Sequence, residues 1–326
     1  MSKMPIIQVF ALGGTIAMTP GAAPGVTPSL SAEALVAAVP GLEKVAVIQA
    51  KTLANIGSAN ITIDRIAKLC AAAEAAVAAG CDGIIVTQGT DTLEESAFLA
   101  SLMYKGSKPL VFTAAMRAAT HPGADGPANL YNAVLVAVSG KAAGVSVVMG
   151  PKIHDPWQVS KEHTYELDAF DSSHGGPIGY IVEGAIQMHR QSTPLVKVDL
   201  AGKPAAPVAL VSASFDGDIK ILEALPSLGY KGVVIEAFGA GHLSEVWADA
   251  AEALLAHMPV LLATRVSEGP VLENSYGYKG AEIDLINRGL IPCGPLRSRK
   301  ARLLLSLLLA EGGDWKAKFK EGVKAF

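Results

Sequence analysis

Short apolar runs alternate with alanine-rich helical segments along most of the chain, and this alternation strongly narrows the choice of fold. Buried-strand composition is found in IIQVFAL, GIIVTQ, PLVFTAAM and GVSVVM. Helical spacing is found in SAEALVAAV, TIDRIAKLCAAAEAAVAAG, TLEESAFLASLMY and GPANLYNAVLVAVSG. Strands that alternate with helices form βαβ units around a mostly parallel sheet. The sequence therefore predicts an α/β fold with a doubly wound sheet.

The alternation is interrupted once, which predicts two domains. Residues 193–207, TPLVKVDLAGKPAAP, contain three prolines and show no helical period. The strand-like runs PVALVSAS, KGVVIEAFG and PVLLATRV follow this stretch. A chain of 326 residues is long enough for two hydrophobic cores. We predict a larger N-terminal catalytic domain over 1–192, a linker over 193–206 and a smaller C-terminal α/β domain over 207–326.

Charge, hydropathy and cysteine content exclude several classes of protein. The formal net charge of -3 gives no electrostatic footprint for nucleic acid, and the basic run RSRKAR is short. The apolar stretch ARLLLSLLLAEGG is too short to span a membrane, and the first residues do not have the pattern of a secretory signal. Cys70, Cys81 and Cys293 lack metal-ligand spacing. The expectation is a cytoplasmic protein without metal, cofactor, nucleic-acid or membrane partners.

Two glycines and a threonine directly follow the first predicted strand, in VFALGGTIAM. Glycine tolerates positive φ and allows another backbone or a ligand to approach closely. Thr15 would then lie at the carboxyl end of a strand, where open α/β sheets bind their ligands. The side chain could pack, cap a helix or react.

A second hydroxyl cluster follows another predicted strand, in VTQGTDTLEES over residues 86–96. Asp91 or Thr92 could cap the following helix. Thr90 and Asp91 could equally contribute to an acyl-transfer site that repeats the position of Thr15. Lys161, in PWQVSKEHT, could be a solvated surface charge, or it could relay a proton if it lies desolvated beside a hydroxyl and a carboxylate.

Several of these stretches together resemble the bacterial-type L-asparaginase and glutaminase-asparaginase family. The resemblance runs through GGTIA at 13–17, IGS at 56–58, TQGTDTLEE at 87–95, AMR with ADGPANLYNAV at 115–134, and KAR at 300–302. It implies a homotetramer, a dimer of dimers whose active sites are shared between subunits. It also implies a small amide substrate, L-asparagine first, and a reaction that needs no cofactor.

The resemblance also implies residue roles. Thr15 would be the acylated nucleophile, and Thr90, Asp91 and Lys161 would form a second polar triad. Ser58 would bind the substrate carboxylate, and Asp91 would also contact the substrate α-ammonium group. The substrate-binding residues implied by the resemblance are Ser58, Gly57, Gly89 and Ala115.

The chain departs from the family pattern at several positions. The segment 18–30, MTPGAAPGVTPSL, which we expect to act as a lid, contains no tyrosine, and Gly25 or Val26 lies near the expected place. Ala59 follows IGS where the family commonly has glutamine or glutamate. In the second domain His242 takes the place of an asparagine, and Glu273 and Tyr276 are further candidates for the shared site.

Three alternatives to an L-asparaginase stay open on the sequence. One is a hydrolase of another small amide or imide on the same scaffold, and a second is a non-catalytic sensor that binds an amino acid. The third, a phosphate or nucleotide binder that uses LGGT, is weaker because the chain has neither a GxGxxG nor a GK[ST] loop.

Overall fold

The computed structural model describes residues 3–20, 25–172, 174–192 and 196–324, and the chain divides into two compact units, Met1–Pro194 and Leu195–Phe326. The strands of the first unit are β1 (Ile6–Gly13), β2 (Met18–Pro20), β3 (Val26–Pro28), β4 (Val47–Ile56), β5 (Gly83–Thr87), β6 (Leu110–Thr113), β7 (Val145–Met149), β8 (Lys152–His154), β9 (Val159–Lys161), β10 (Phe170–Ser172), β11 (Gly179–Val182) and β12 (Ala185–Met188). Its helices are α1 (Ala32–Ala37), α2 (Ile63–Ala78), α3 (Leu93–Met103) and α4 (Gly126–Val138).

An eight-stranded sheet forms the centre of the first unit, in the order β12-β11-β8-β7-β6-β5-β1-β4. The strands from β4 to β7 pair in parallel, whereas β8, β11 and β12 pair antiparallel. The predicted α/β fold with a mostly parallel sheet is confirmed. Val9, Ile85 and Val111 are fully buried, because helices cover the parallel strands.

Threonine and serine side chains begin two helices of this unit. The Ser31 side chain accepts a hydrogen bond from the backbone of Ala34 at the start of α1, and Thr62 accepts one from Arg65 at the start of α2. At the start of α3, by contrast, the Thr92 hydroxyl donates to the carbonyl of Ser58 at 2.9 Å. Neither Asp91 nor Thr92 therefore caps this helix through its side chain, and both remain next to the other strand-end residues.

The segment that we expect to act as a lid contains a short hairpin. Strands β2 and β3 pair antiparallel, and the Thr19 and Ser29 hydroxyls lie 2.6 Å apart. The backbone N–H groups of Ser29 and Leu30 donate to the carbonyl of Ala17, next to the strand end that holds Thr15. Residues 21–24 of the segment lie outside the described residues. Closure of this hairpin over a substrate stays a prediction.

The second unit contains a four-stranded parallel sheet in the order β13-β14-β15-β16. Its strands are β13 (Val208–Ser212), β14 (Gly232–Ala237), β15 (Val260–Thr264) and β16 (Ile291–Pro292), and its helices are α5 (Lys220–Ala224), α6 (Glu245–Leu254), α7 (Glu282–Arg288), α8 (Ser298–Glu311) and α9 (Trp315–Val323). The predicted smaller α/β domain is confirmed. Residues 196–206, within the predicted linker, form neither helix nor strand, although Val196 and Val198 are buried.

Among the described residues, no helix is both long enough and apolar enough to cross a membrane.

Candidate active site

The ends of β1 and β5 meet through two glycines. A Cβ atom on Gly14 would overlap the backbone nitrogen of Gly89, and Gly14 has a φ of +85°. A Cβ on Gly89 would lie 2.8 Å from the Ser58 Oγ. Only glycine allows the backbones to approach this closely. The contact places the 3₁₀ turns Thr15–Ala17 and Thr90–Thr92 at the same edge of the sheet.

We predict that Gly14→Ala destabilises the protein, because its methyl group would overlap the backbone of Gly89 and its φ is positive. The free energy of unfolding should fall by roughly 2 to 4 kcal/mol. Gly41→Ala is the matched control: Gly41 has a φ of +83° and also precedes a 3₁₀ turn, but a Cβ atom there would have no neighbour within 4 Å. Chemical denaturation should give a loss of only about 1 kcal/mol for this control. Equal losses would contradict the proposed contact.

Lys161 connects the hydroxyl and carboxylate of the second strand end. Its Nζ lies 2.8 Å from Thr90 Oγ1 and 2.8 Å from Asp91 Oδ1. The Lys161 side chain is 18% exposed and that of Asp91 is 69% exposed, so the pair lies at the border between protein and solvent. The ammonium group is held by two oxygens in a fixed position. The structure thus brings together Thr90, Asp91 and Lys161, which the sequence predicted to form one site.

Glu94 fixes the strand that carries Lys161. The backbone N–H of Lys161 donates to Glu94 Oε2 at 2.6 Å, and Glu94 is buried at the start of α3. Lys161 is the last residue of β9, which pairs with β10. Glu94 was not predicted from the sequence as a residue of the site. No sequence signal marked this role, because the burial of Glu94 and its hydrogen bond to Lys161 appear only in the folded structure.

Ser58 joins the loop after β4 to the turn after β5. Its hydroxyl oxygen accepts a hydrogen bond from the backbone N–H of Asp91 at 3.2 Å, and its carbonyl accepts one from Thr92. Ser58 is 3% exposed, and Gly57 precedes it at the start of a 3₁₀ turn. The hydroxyl proton of Ser58 remains able to donate to an anion. Ser58, Gly57 and Gly89 therefore lie beside Thr90, as the predicted substrate site requires.

Asp125 and Asn129 shape the loop after β6. The Asp125 carboxylate accepts hydrogen bonds from the backbone N–H groups of Met116 and Arg117, both at 2.9 Å. The Asn129 side chain donates to Asp125 and to the carbonyl of Ala114, both at 3.0 Å. Ala115 is fully buried within the hydrophobic core. Any contact between Ala115 and a substrate would therefore be made by its backbone.

Thr15 is half-buried and follows Gly14 directly. Its hydroxyl makes no hydrogen bond to the residues that the structure describes. Val26, which lies near the place where the family has a tyrosine, is half-buried in β3. A valine side chain offers no proton acceptor. Of Thr15 and Thr90, only Thr15 therefore lacks a hydrogen-bond partner for its hydroxyl among the described residues.

A separate polar cluster lies in the second unit around His242. Its Nε2 lies 3.0 Å from Glu282 Oε2, and its Nδ1 lies 2.9 Å from the hydroxyl of Tyr278. Tyr276 packs edge-on against the imidazole, with ring centroids 5.0 Å apart. His242 and Tyr276 are therefore neighbours, as candidates for one site should be. Glu273 instead lines a different cavity, whereas Tyr278 and Glu282 were missed from the sequence.

Glu282 sets the tautomer of His242. Burial raises the pKa of Glu282, but hydrogen bonds from the backbone N–H groups of Tyr276 and Ser275 and from His242 hold it below its usual range overall. The carboxylate is therefore ionised near neutral pH. A neutral His242 then carries its proton on Nε2 and accepts the Tyr278 hydroxyl proton through Nδ1.

No group of three or more His, Cys, Asp or Glu side chains within the described ranges is arranged to hold a metal ion.

Threonine hydroxyls lie at the ends of two strands. The hydroxyl of Thr90 contacts Lys161, which also contacts the carboxylate of Asp91. This arrangement defines a class of site suited to acyl transfer. The particular family follows from comparison with known proteins. A model of the N-terminal asparaginase domain matches residues 6–194, and a model of the glutaminase/asparaginase C-terminal domain matches residues 207–320. The chain belongs to the asparaginase family and is an asparaginase-like amidohydrolase.

Individual relatives match over nearly the whole chain. A probable L-asparaginase of Deinococcus radiodurans is 36% identical, covering 99% of this chain and 99% of the relative. A probable periplasmic L-asparaginase of Haemophilus influenzae is 33% identical, covering 96% of this chain and 91% of the relative. The crystal structure of a probable cytoplasmic L-asparaginase from Campylobacter jejuni superposes with a TM-score of 0.86 at 31% identity, covering 98% and 99% of the two chains.

Proposed function

We propose that the protein hydrolyses the side-chain amide of L-asparagine to L-aspartate and ammonia through an acyl-enzyme on Thr15. The observation that carries this proposal is the position of Lys161 Nζ, 2.8 Å from both Thr90 Oγ1 and Asp91 Oδ1. Thr90 and Asp91 of this relay directly follow Gly89, whose backbone contacts Gly14, next to Thr15. Two hydroxyls and a proton relay at one edge of a sheet are the groups that a two-step acyl transfer needs.

In the first step the Thr15 oxygen attacks the amide carbon of the substrate. An ester bond forms to Thr15, the C–N bond breaks, and the hydroxyl proton leaves with the nitrogen as ammonia. In the second step a water attacks the ester, and the bond between the acyl carbon and the Thr15 oxygen breaks. One proton of the water passes through the Thr90 hydroxyl, which Lys161 holds, to the departing Thr15 oxygen, and the new carboxyl group releases the other to solvent. The products are L-aspartate and free Thr15. The ammonium of Lys161, held by Asp91, stabilises the negative charge that develops on oxygen.

The rest of the substrate would be held by Asp91 and Ser58. Asp91 has one oxygen on Lys161 and is largely exposed, so its other oxygen can accept a hydrogen bond from the α-ammonium group. The Ser58 hydroxyl donates to the α-carboxylate, and the backbones of Gly57, Gly89 and Ala115 complete the pocket. Ala59 has no polar side chain with which to bind the ammonium group, so we assign this contact to Asp91.

Ammonia release from a set of amides tests the proposed reaction. L-asparagine should be turned over faster than L-glutamine, D-asparagine, isoasparagine or succinamic acid, because only it presents amide, ammonium and carboxylate in the required arrangement. Faster release from succinamic acid than from L-asparagine would support the hydrolase of another small amide. Saturable binding of asparagine without any ammonia release would support the amino-acid sensor and contradict the proposed function.

The homotetramer and the cytoplasmic location also remain predictions. A dimer pair would let the second-unit cluster around His242 approach the Thr15 of a partner subunit, since a C₂ interface presents the same surface twice. Sedimentation velocity at assay concentration checks the assembly, and a fully active monomer would contradict it. Relatives are named for both the periplasm and the cytoplasm, so fractionation of the source cells decides the compartment.

A further inference from the structure

A cavity of about 310 Å³ lies within the second unit, and none of the residues that carry the proposed acyl transfer lines it. Lys316 and Lys320 of helix α9 and Lys324, directly after its last residue, form one wall, and the segment from α7 to β16 forms the other. Sites for small molecules usually measure roughly 300 to 1,000 Å³, so this volume suits a ligand of metabolite size. Nothing in the proposed amide hydrolysis uses it.

The three lysines stand in one row along the helix. They are four residues apart, so Lys316, Lys320 and Lys324 share a face, and successive Cα atoms rise by about 6 Å. The neighbouring Lys318 does not line the cavity, and its Nζ lies 2.6 Å from Glu311 Oε2. On the buried side of the helix, Phe319 and Gly322 pack into the unit. The row therefore follows one face of α9, and all three lysines line the cavity.

The three lysines do not owe their positions to a stabilising effect on α9. None of the three lysines forms an ion pair with the described residues, and Glu273 is the one carboxylate that lines the cavity there. Lys316 lies in the first helical turn, where the positive end of the helix dipole disfavours a cation. Among the described residues that line the cavity, three cations thus stand against one anion. The unbalanced positive charge favours an anionic ligand.

The opposite wall is apolar. Leu290 and Ile291 are buried, whereas Ile286 and Pro292 are half-buried and keep part of their surface open. A ligand that fills the cavity would therefore place an apolar or planar group against this wall and its anionic groups against α9. An inorganic ion would satisfy the lysines but leave the apolar wall in water.

We propose that this cavity binds a nucleoside di- or triphosphate, with the phosphate chain along the lysine row and the base against Ile286 and Pro292. The row extends over about 12 Å, which suits a chain of linked phosphates better than a single carboxylate. Lysine binds phosphate as a compact point charge and needs no fixed fork geometry, which fits flexible and exposed side chains. The site is independent of the proposed hydrolysis of asparagine.

Calorimetric titration of the full chain with ATP in magnesium-free buffer tests the proposal. Saturable binding should appear at or below roughly 1 mM and should weaken about tenfold or more in Lys320→Gln. Lys318→Gln is the matched control, because it removes the same charge from the same helix outside the cavity, and it should bind ATP within about twofold of the unchanged protein. All these lysines are on the surface of the helix, and circular dichroism checks that the variants remain folded.

Two further probes test separately the nucleoside part and the phosphate part of the proposed ligand. Adenosine alone should bind at least about tenfold more weakly than ATP, and so should inorganic tripolyphosphate. No saturable heat with ATP up to about 1 mM, or an equal loss in Lys318→Gln and Lys320→Gln, would overturn the site. Tripolyphosphate that binds as tightly as ATP would overturn the role of the apolar wall, and adenosine that binds as tightly would overturn the role of the lysine row.

Discussion

Thr15→Ala is expected to lower kcat by roughly 1,000-fold or more while leaving the fold intact, because the change removes the proposed nucleophile. Thr15 is half-buried, and its side chain forms no hydrogen bond to the described residues, so little stability depends on its hydroxyl. Loss of the γ-methyl and hydroxyl opens only a small space. Ammonia release from L-asparagine measures the effect, and thermal unfolding checks the fold.

Two variants control for this experiment. Thr15→Ser keeps the hydroxyl and should recover a substantial part of the activity that Thr15→Ala loses. Thr164→Ala removes an exposed threonine from the segment after β9, outside the proposed lid, and should leave kcat within about twofold of the unchanged protein. A Thr15→Ala variant that retained near-complete activity would contradict the nucleophile assignment, whatever the other variants did.

Helices and central strands could be predicted from the sequence because their signals are local. The apolar runs that became β1, β5, β6 and β7 are buried on both faces, so their composition alone identifies them. Helices α1 and α2 begin at serine and threonine caps that can be read directly.

Strand β4 could not be predicted in the same way. It lies at the edge of the sheet, none of its residues is fully buried, and its sequence VIQAKTLANI lacks a continuous apolar run. Its position depends on parallel pairing with β1, a contact across about forty residues of sequence. The short antiparallel strands β8, β11 and β12 escaped prediction for the same reason, since pairing rather than composition defines them.

The residues of the candidate site likewise fall into two groups, those with a local sequence signal and those defined by contacts distant in sequence. Glycine, hydroxyl and carboxylate residues at strand ends are local signals, which is why Thr15, Thr90 and Asp91 could be selected from the sequence. The hydrogen bond from Lys161 to Glu94 joins residues 67 positions apart, and the contact between His242 and Glu282 joins residues 40 apart. Such contacts need the tertiary structure. Residues that position others are for this reason harder to find than residues that react.

The second large effect concerns the relay behind Thr90. Lys161→Met keeps a long unbranched side chain but removes the ammonium group that lies 2.8 Å from Thr90 Oγ1 and from Asp91 Oδ1. We expect kcat to fall by roughly 100- to 10,000-fold, the range usual for loss of a proton-transfer group. Thr90→Val should produce a similar fall, and the double variant should be little worse than either single one, because residues that act as one relay are not additive.

Lys152→Met is the matched control for the relay. Lys152 lies in β8 and pairs with Asp168 at 2.7 Å, in a lysine–aspartate contact with an exposed carboxylate like that of Lys161 with Asp91. Its loss should cost about 1 kcal/mol of stability at most and leave kcat nearly unchanged. If water attack on the acyl-enzyme is the step that the relay assists, rapid-quench experiments with Lys161→Met should trap an ester on Thr15. A double variant whose loss equals the product of the two single losses would show that Thr90 and Lys161 act separately, and the proposed relay would be wrong.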